Sequence, residues 1–177
     1  MIDRSTLSGK RDYALLVIAL HTGRRVTELA SLHWTDLVFA VDKVTLTFQR
    51  TKGGKTASDT LSAPASCALL DYLNAIYGVD LVDVPAETLI WLSFSRQNKG
   101  RAISGQTIAD ICYKHLGTSK VHTLRHTFAH TMERSGAPVS EIQARLGHES
   151  HATTGRYLTA LKRAENPYAK NSAACLG

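Results

Sequence analysis

Residues 43–49, KVTLTFQ, alternate strictly between apolar and polar, with Val44, Leu46 and Phe48 on one face. A period of two fits a half-buried strand and not a helix. TKGGK (51–55) follows, and paired glycines tolerate the positive φ of a tight hairpin turn. ASDTLSA (57–63) is placed to return as the partner strand. The chain must therefore house a small antiparallel sheet, and almost everything around it reads at helical period.

Residues 10–22 predict a helix with Leu15, Leu16, Ile18, Ala19 and Leu20 inward, stopped by Gly23. Val26, Leu29, Ala30 and Leu32 continue at helical spacing in a second one. Pro64 opens a third, where a missing N–H costs nothing; Leu69, Leu70, Leu73, Ile76 and Tyr77 form its inner face and Gly78 ends it. TLIWLSF (88–94) is apolar but fits no single type. Ser104 caps a helix carrying Ile108, Ile111 and Leu116. Thr123 is placed to cap the next, closed by Gly136 and Pro138. A short helix from Ser140 stops at Gly147, and a last one runs from about Thr153 past Leu161. The class is α+β, mainly helical, with a small antiparallel β-sheet.

The chain has 177 residues, enough for one domain with a sizeable core. Its longest apolar run, YALLVIAL (13–20), falls far short of the roughly 20 residues that cross a bilayer. Asp3 and Arg4 stand where a signal peptide would carry its apolar core, so a cytoplasmic location is expected. Cys67, Cys112 and Cys175 are odd in number and widely spaced, without a zinc pattern, and read as free thiols. The net charge is +6, and it is unevenly placed: residues 63–95 carry no Lys or Arg against Asp71, Asp80, Asp83 and Glu87. Basic flanks around an acidic middle fit a nucleic-acid partner; the alternative is a basic balance that only aids solubility.

VHTLRHTFAH (121–130) carries His122, His126 and His130 at four-residue spacing. Such a stripe on a helix resembles a metal site. Arg125 opposes this, because a guanidinium repels a cation, and neither an HExxH pattern nor a nearby cysteine supports it. Leu124, Phe128 and Met132 share the core face, while His122 and Arg125 lie about 60° apart on an adjacent face and can reach one ligand. The alternative is a set of surface histidines with Arg125 solvated. Other segments add to the pair. TGRRVTEL (22–29) sets Arg25 three residues before Glu28, a carboxylate able to brace the guanidinium. TKGGK presents Lys52, LGHES presents His148, and TTGRYL presents Tyr157.

Two arginines, a lysine, two histidines and a tyrosine suit attack on a phosphodiester by tyrosine. Paired guanidiniums hold the non-bridging oxygens and stabilise added charge. Ionising a tyrosine at pH 7 costs roughly 4 kcal/mol, and charge-assisted bonds of about 1.5–3 kcal/mol each offset it. A lysine can protonate the departing oxygen.

In this order, the set resembles the tyrosine recombinase (phage integrase) family. HTGRRVTELASLHWTDL is similar to the segment bearing the family's first catalytic arginine, here Arg25, with Glu28 as acidic partner. TKGGK resembles the hairpin of the catalytic lysine, here Lys52, with Lys55 as an alternative. HTLRHTFAH is similar to the H-x-L-R-H motif, giving His122 and Arg125, with His126 supporting. LGHESHATTGRY is similar to the closing box, giving His148 and the nucleophile Tyr157. His130 has no counterpart role. The resemblance spans roughly residues 10–163.

It implies a tyrosine-recombinase catalytic-domain fold over residues 1–177 and strand exchange through a 3′-phosphotyrosine. It also implies double-stranded DNA as partner, self-association into a tetramer on DNA, and no metal, nucleotide cofactor, membrane partner or small-molecule substrate. A silent DNA-binding regulator of the same fold and a type IB topoisomerase relative are the alternatives. Arg24 departs from the family, whose usual residue there is apolar. The basic residue and Val-Pro-Leu usual after the hairpin are replaced by ASDTLSAP. About twenty residues precede HTGRR, so the family's N-terminal DNA-clamping domain is expected to be absent from this chain. The tail ENPYAKNSAACLG is a candidate contact with a neighbouring protomer.

Overall fold

Thr6 starts the first helix by accepting the Gly9 N–H on its hydroxyl at 3.0 Å. In the structure, a computed structural model, residues 2–41, 43–49, 56–79, 81 and 84–147 are described. The chain divides into two units, Met1–Phe128 and Ala129–Gly177. In the first, α1 (Leu7–Thr22) begins three residues before the predicted start because the cap at Thr6 admits a further turn. Leu15, Leu16, Ile18 and Ala19 are buried as expected, with Leu20 only half-buried. Gly23 stops the helix at φ 62°, its N–H bonding the Ala19 carbonyl at 3.0 Å. The second helix, α2 (Val26–Ala30), is shorter than the pattern implied. Leu32 lies beyond it, buried, with its carbonyl accepting the Ile90 N–H.

A single 3-10 turn (Trp34–Asp36) leads into β1 (Leu37–Phe39), a strand the sequence does not announce. Three residues are too few for alternation to show, and Val38 and Phe39 are exposed. The sheet order is β1-β2-β3, all antiparallel, with β2 (Val44–Phe48) in the centre and β3 (Ala57–Thr60) returning beside it. Leu46 faces Leu37 on one side and Asp59 on the other, and Phe48 faces Ala57. Val44, Leu46 and Phe48 are buried, as their alternation required. The TKGGK turn lies outside the described residues.

Next, α3 (Ala63–Tyr77) carries Pro64 in its first turn and packs along α1. Its inner face centres on Leu69, Tyr72 and Leu73, while Leu70, Ile76 and Tyr77 are only half-buried. Tyr72 resolves the ambiguous stretch 88–94. Its hydroxyl donates to the Ile90 carbonyl at 3.0 Å and accepts the Leu92 N–H at 3.1 Å. Its ring stacks on Trp91 at 5.7 Å. The segment therefore needs no ladder of its own; it makes only two isolated bridges, His33 with Leu89 and Leu92 with Ala102. Burial pushes the Tyr72 phenol upward, so it remains a donor.

The fourth helix, α4 (Gly105–Leu116), is capped by Ser104 as expected. It buries Ile108 and Ile111, but Leu116 is exposed, since it falls in the last turn beyond the packed face. A buried ion cluster links α4 to α1. Arg11 donates twice to Asp12 Oδ1, at 3.0 and 2.6 Å, and once to the Leu92 carbonyl at 2.8 Å. His115 Nε2 meets Asp12 Oδ2 at 3.0 Å. Cys112 is buried and Cys67 exposed, both as free thiols, while Cys175 lies outside the described residues.

The helix of the histidine motif, α5, runs His122–Arg134. It starts before Thr123, whose N–H bonds the Lys120 carbonyl, so Thr123 belongs to the first turn and is not the cap. In the second unit, α6 (Val139–Leu146) follows Pro138, starting one residue ahead of Ser140, and ends at Gly147. Ile142 and Leu146 are buried. The helix expected from Thr153 lies outside the described residues. Among the described residues no helix is long and apolar enough to cross a membrane.

Tyr72→Phe strands a buried carbonyl and a part-buried N–H while keeping the ring stack. Urea denaturation should show a loss of about 2–4 kcal/mol, against a change within about 0.5 kcal/mol for Tyr113→Phe at the exposed surface.

Candidate active site

Arg25 occupies the N-cap position of α2 in extended conformation. Its backbone N–H donates to Glu28 Oε2 at 2.8 Å, and its guanidinium Nη1 donates to Glu28 Oε1 at 3.1 Å. One carboxylate thus closes the helix start and orients the arginine. The Glu28 side chain is 5% exposed and that of Arg25 28%. The rest of the fork makes no further hydrogen bond among the described residues, so it is open to a ligand.

Arg125 reaches the same turn from a hundred residues away. It is buried, and its Nη1 donates to the Gly23 carbonyl at 2.7 Å. Gly23 also lies against Phe128: a Cβ at position 23 would enter the Phe128 ring. One glycine therefore terminates α1, accepts Arg125 and admits Phe128. The sequence marked Gly23 only as a helix stop; its carbonyl as an anchor has no signature in the residue pattern.

The three histidines separate by environment. His122 is exposed, while His126 and His130 are half-buried. Burial, and then the neighbouring His122 and Arg125, hold the His126 pKa below its ordinary value. His126 is therefore neutral near pH 7 beside the arginine. Among the described residues no group of three or more His, Cys, Asp or Glu side chains is placed to hold a metal ion.

Arg24, whose direction the sequence left open, turns inward. Its Nε meets Asp59 Oδ2 at 2.6 Å, and its guanidinium lies 4.8 Å from the centre of the Phe48 ring. Asp59 was not singled out from the sequence, although it faces Leu46 on an inward register, where a carboxylate calls for a cation. Lys52, Lys55, His148 and Tyr157 lie outside the described residues. The structure thus brings Arg25, Glu28 and Arg125 to one turn and sets His122 and His126 on the helix of Arg125. A pocket of about 420 Å³ lined by Glu28, Asp36 and Glu87 among others is a poor seat for an anion, since three carboxylates border it.

A profile of the Phage integrase family matches residues 2–163, and the chain belongs to that family. It is 32% identical over 155 residues to tyrosine recombinase XerC of Syntrophus aciditrophicus (strain SB), covering 84% of this chain and 49% of that protein. The chain spans about half the length of the curated relatives it matches. Among solved structures it is similar to XerH site-specific recombinase bound to difH substrate, in a pre-cleavage complex. The TM-score is 0.70 at 22% identity, covering 99% of this chain and 48% of that one. XerA recombinase matches with a TM-score of 0.67 at 25% identity, over 93% of this chain and 57% of that one. The fold is that of a tyrosine recombinase catalytic domain, mainly helical with a small antiparallel sheet, as the sequence implied.

Two outcomes follow from this geometry. Gly23→Ala imposes a left-handed alanine and overfills the space at Phe128; the combined cost is about 2–5 kcal/mol in urea denaturation. For His126, the folded pKa lies below that of the unfolded chain. As pH falls through about 6.5 the unfolded chain takes up a proton first, and stability drops until the depressed folded pKa is passed. Comparing urea midpoints at about pH 7.5 and about pH 5.5, wild type should lose more than His126→Gln.

Proposed function

We propose that residues 1–177 act as the catalytic domain of a site-specific DNA recombinase, or integrase. The observation that carries this is the shared turn: Arg25 braced by Glu28 with donors left over, and Arg125 fixed on the carbonyl two residues before it. Paired guanidiniums held rigidly fit the non-bridging oxygens of one phosphate. The recombinases among the relatives favour this over a silent regulator or a type IB topoisomerase.

In the proposed reaction the Tyr157 oxygen attacks the scissile phosphorus. His122 takes its proton, and Arg25 and Arg125, with His148, stabilise the charge gathering on the phosphoryl oxygens. The bond to the 5′-oxygen breaks as Lys52 delivers a proton to it, leaving a 3′-phosphotyrosine and a free 5′-hydroxyl. Attack by a partner strand's 5′-hydroxyl reverses the step and releases Tyr157. The phosphoester bond is conserved throughout, so ATP is not consumed. Glu28 and His126 support the arginines. The partner is double-stranded DNA in the cytoplasm, with four protomers assembled on it. Phosphate contacts make binding steeply salt-dependent.

The test is a library of nicked duplexes from which the cleaved fragment diffuses away. Wild type should leave a covalent protein–DNA adduct that survives denaturation, and Tyr157→Phe should leave none. DNA binding without adduct, with native flanking residues restored, would establish the regulator instead. Relaxation of supercoiled plasmid without sequence preference would establish the topoisomerase.

A further inference from the structure

We propose that Phe128 is a positioning residue, which holds the part of α5 that carries Arg125 against the turn that carries Arg25; this rests on the recombinase reading above. The reaction scheme gives Phe128 no task, yet its ring lies on the backbone that joins the two arginines. Its Cγ, Cδ1 and Cε1 atoms fill the space where a Cβ at residue 23 would stand. Arg125 and Phe128 are three residues apart on α5, so their side chains share one face. From that face residue 23 is held twice, its carbonyl by Arg125 at 2.7 Å and its missing side chain's place by the ring. The contact is also distinct from core packing. Leu124, one turn earlier, belongs to the main apolar core, whereas Phe128 is buried outside that cluster.

Side-chain mechanics explain why the arginine needs this help. An arginine is long and rich in rotamers. Its bond to Gly23 alone would let the helix slide while the guanidinium kept its carbonyl. A phenyl ring is short and flat. Pressed on residue 23, it ties the helix backbone itself to the turn. Arg25 follows two residues later, aimed by Glu28. The separation of the guanidiniums is therefore set by the ring on one side and by Glu28 on the other. Both must reach non-bridging oxygens of one phosphate in the transition state, and misplacement by about 1 Å is enough to cost rate.

Single-turnover cleavage of nicked duplex by the full chain separates positioning from folding. The amplitude counts folded molecules, and the rate constant reports the chemistry. Phe128→Leu keeps an apolar side chain without the ring. At saturating duplex it should form adduct about tenfold or more slowly than wild type. Its amplitude and half-saturating duplex concentration should stay within about twofold, since every cation remains and binding is spread over many phosphates. Phe128→Tyr restores the ring and should come within about threefold of the wild-type rate constant. Thermal melting run alongside reports folding, and Phe128→Met takes the place of Phe128→Leu if the latter does not melt cooperatively. Four results overturn the positioning role while leaving the recombinase reading intact: a wild-type rate constant without the ring, a loss confined to amplitude, a half-saturating concentration raised as much as the rate falls, or Phe128→Tyr as slow as Phe128→Leu. Absence of adduct from wild type on every duplex of the library overturns the recombinase reading and this inference with it.

Discussion

The hydrogen bond from Arg125 to the Gly23 carbonyl, at 2.7 Å, is the constraint on which the candidate site depends. It closes a long loop of chain, and it works only because residue 23 is glycine. A left-handed φ of 62° turns the chain out of α1, and the missing side chain lets Phe128 lie against the backbone. A charged donor on a carbonyl is stronger than a neutral one, and this one is buried. From that turn the next two residues diverge, Arg24 inward to the sheet and Arg25 toward solvent. The arrangement of cations is thus set by one backbone conformation.

Burial also changes what the basic composition means. Arg11 and Arg24 are each matched by a buried aspartate, Asp12 and Asp59, and Arg125 is buried on a carbonyl. Arg11 and Arg24 are thus structural members of the first unit. A net charge of +6 therefore overstates the cations available to a polyanion, since Arg11 and Arg24 are committed to partners inside the fold.

Periodicity made much of the fold legible. The alternation at Val44, Leu46 and Phe48 placed the central strand, and Gly23, Gly78 and Gly147 marked helix ends, because these depend on local backbone sterics. Tertiary contacts were not legible. β1 is too short to show a pattern, Tyr72 stitches residues 90 and 92 through its hydroxyl, and Leu116 overruns the packed face. In the site, Arg25 and Glu28 were readable as a local pair because they are three residues apart. The anchor of Arg125 and the partner of Arg24 were not, since each joins residues remote in sequence and a carbonyl carries no residue identity.

Glu28 spends both carboxylate oxygens on Arg25, one on its backbone and one on its guanidinium. The helix it starts has five residues, below the length at which a helix persists by itself in water. The pose of Arg25 therefore has no existence apart from the folded unit: a peptide bearing TGRRVTEL would sample it rarely. Loosening of α2 and loss of the arginine's aim are a single event. The fraction of molecules competent to grip a phosphate then equals the fraction in which this short turn is formed, so hydrogen exchange at the α2 amides would read out site competence directly.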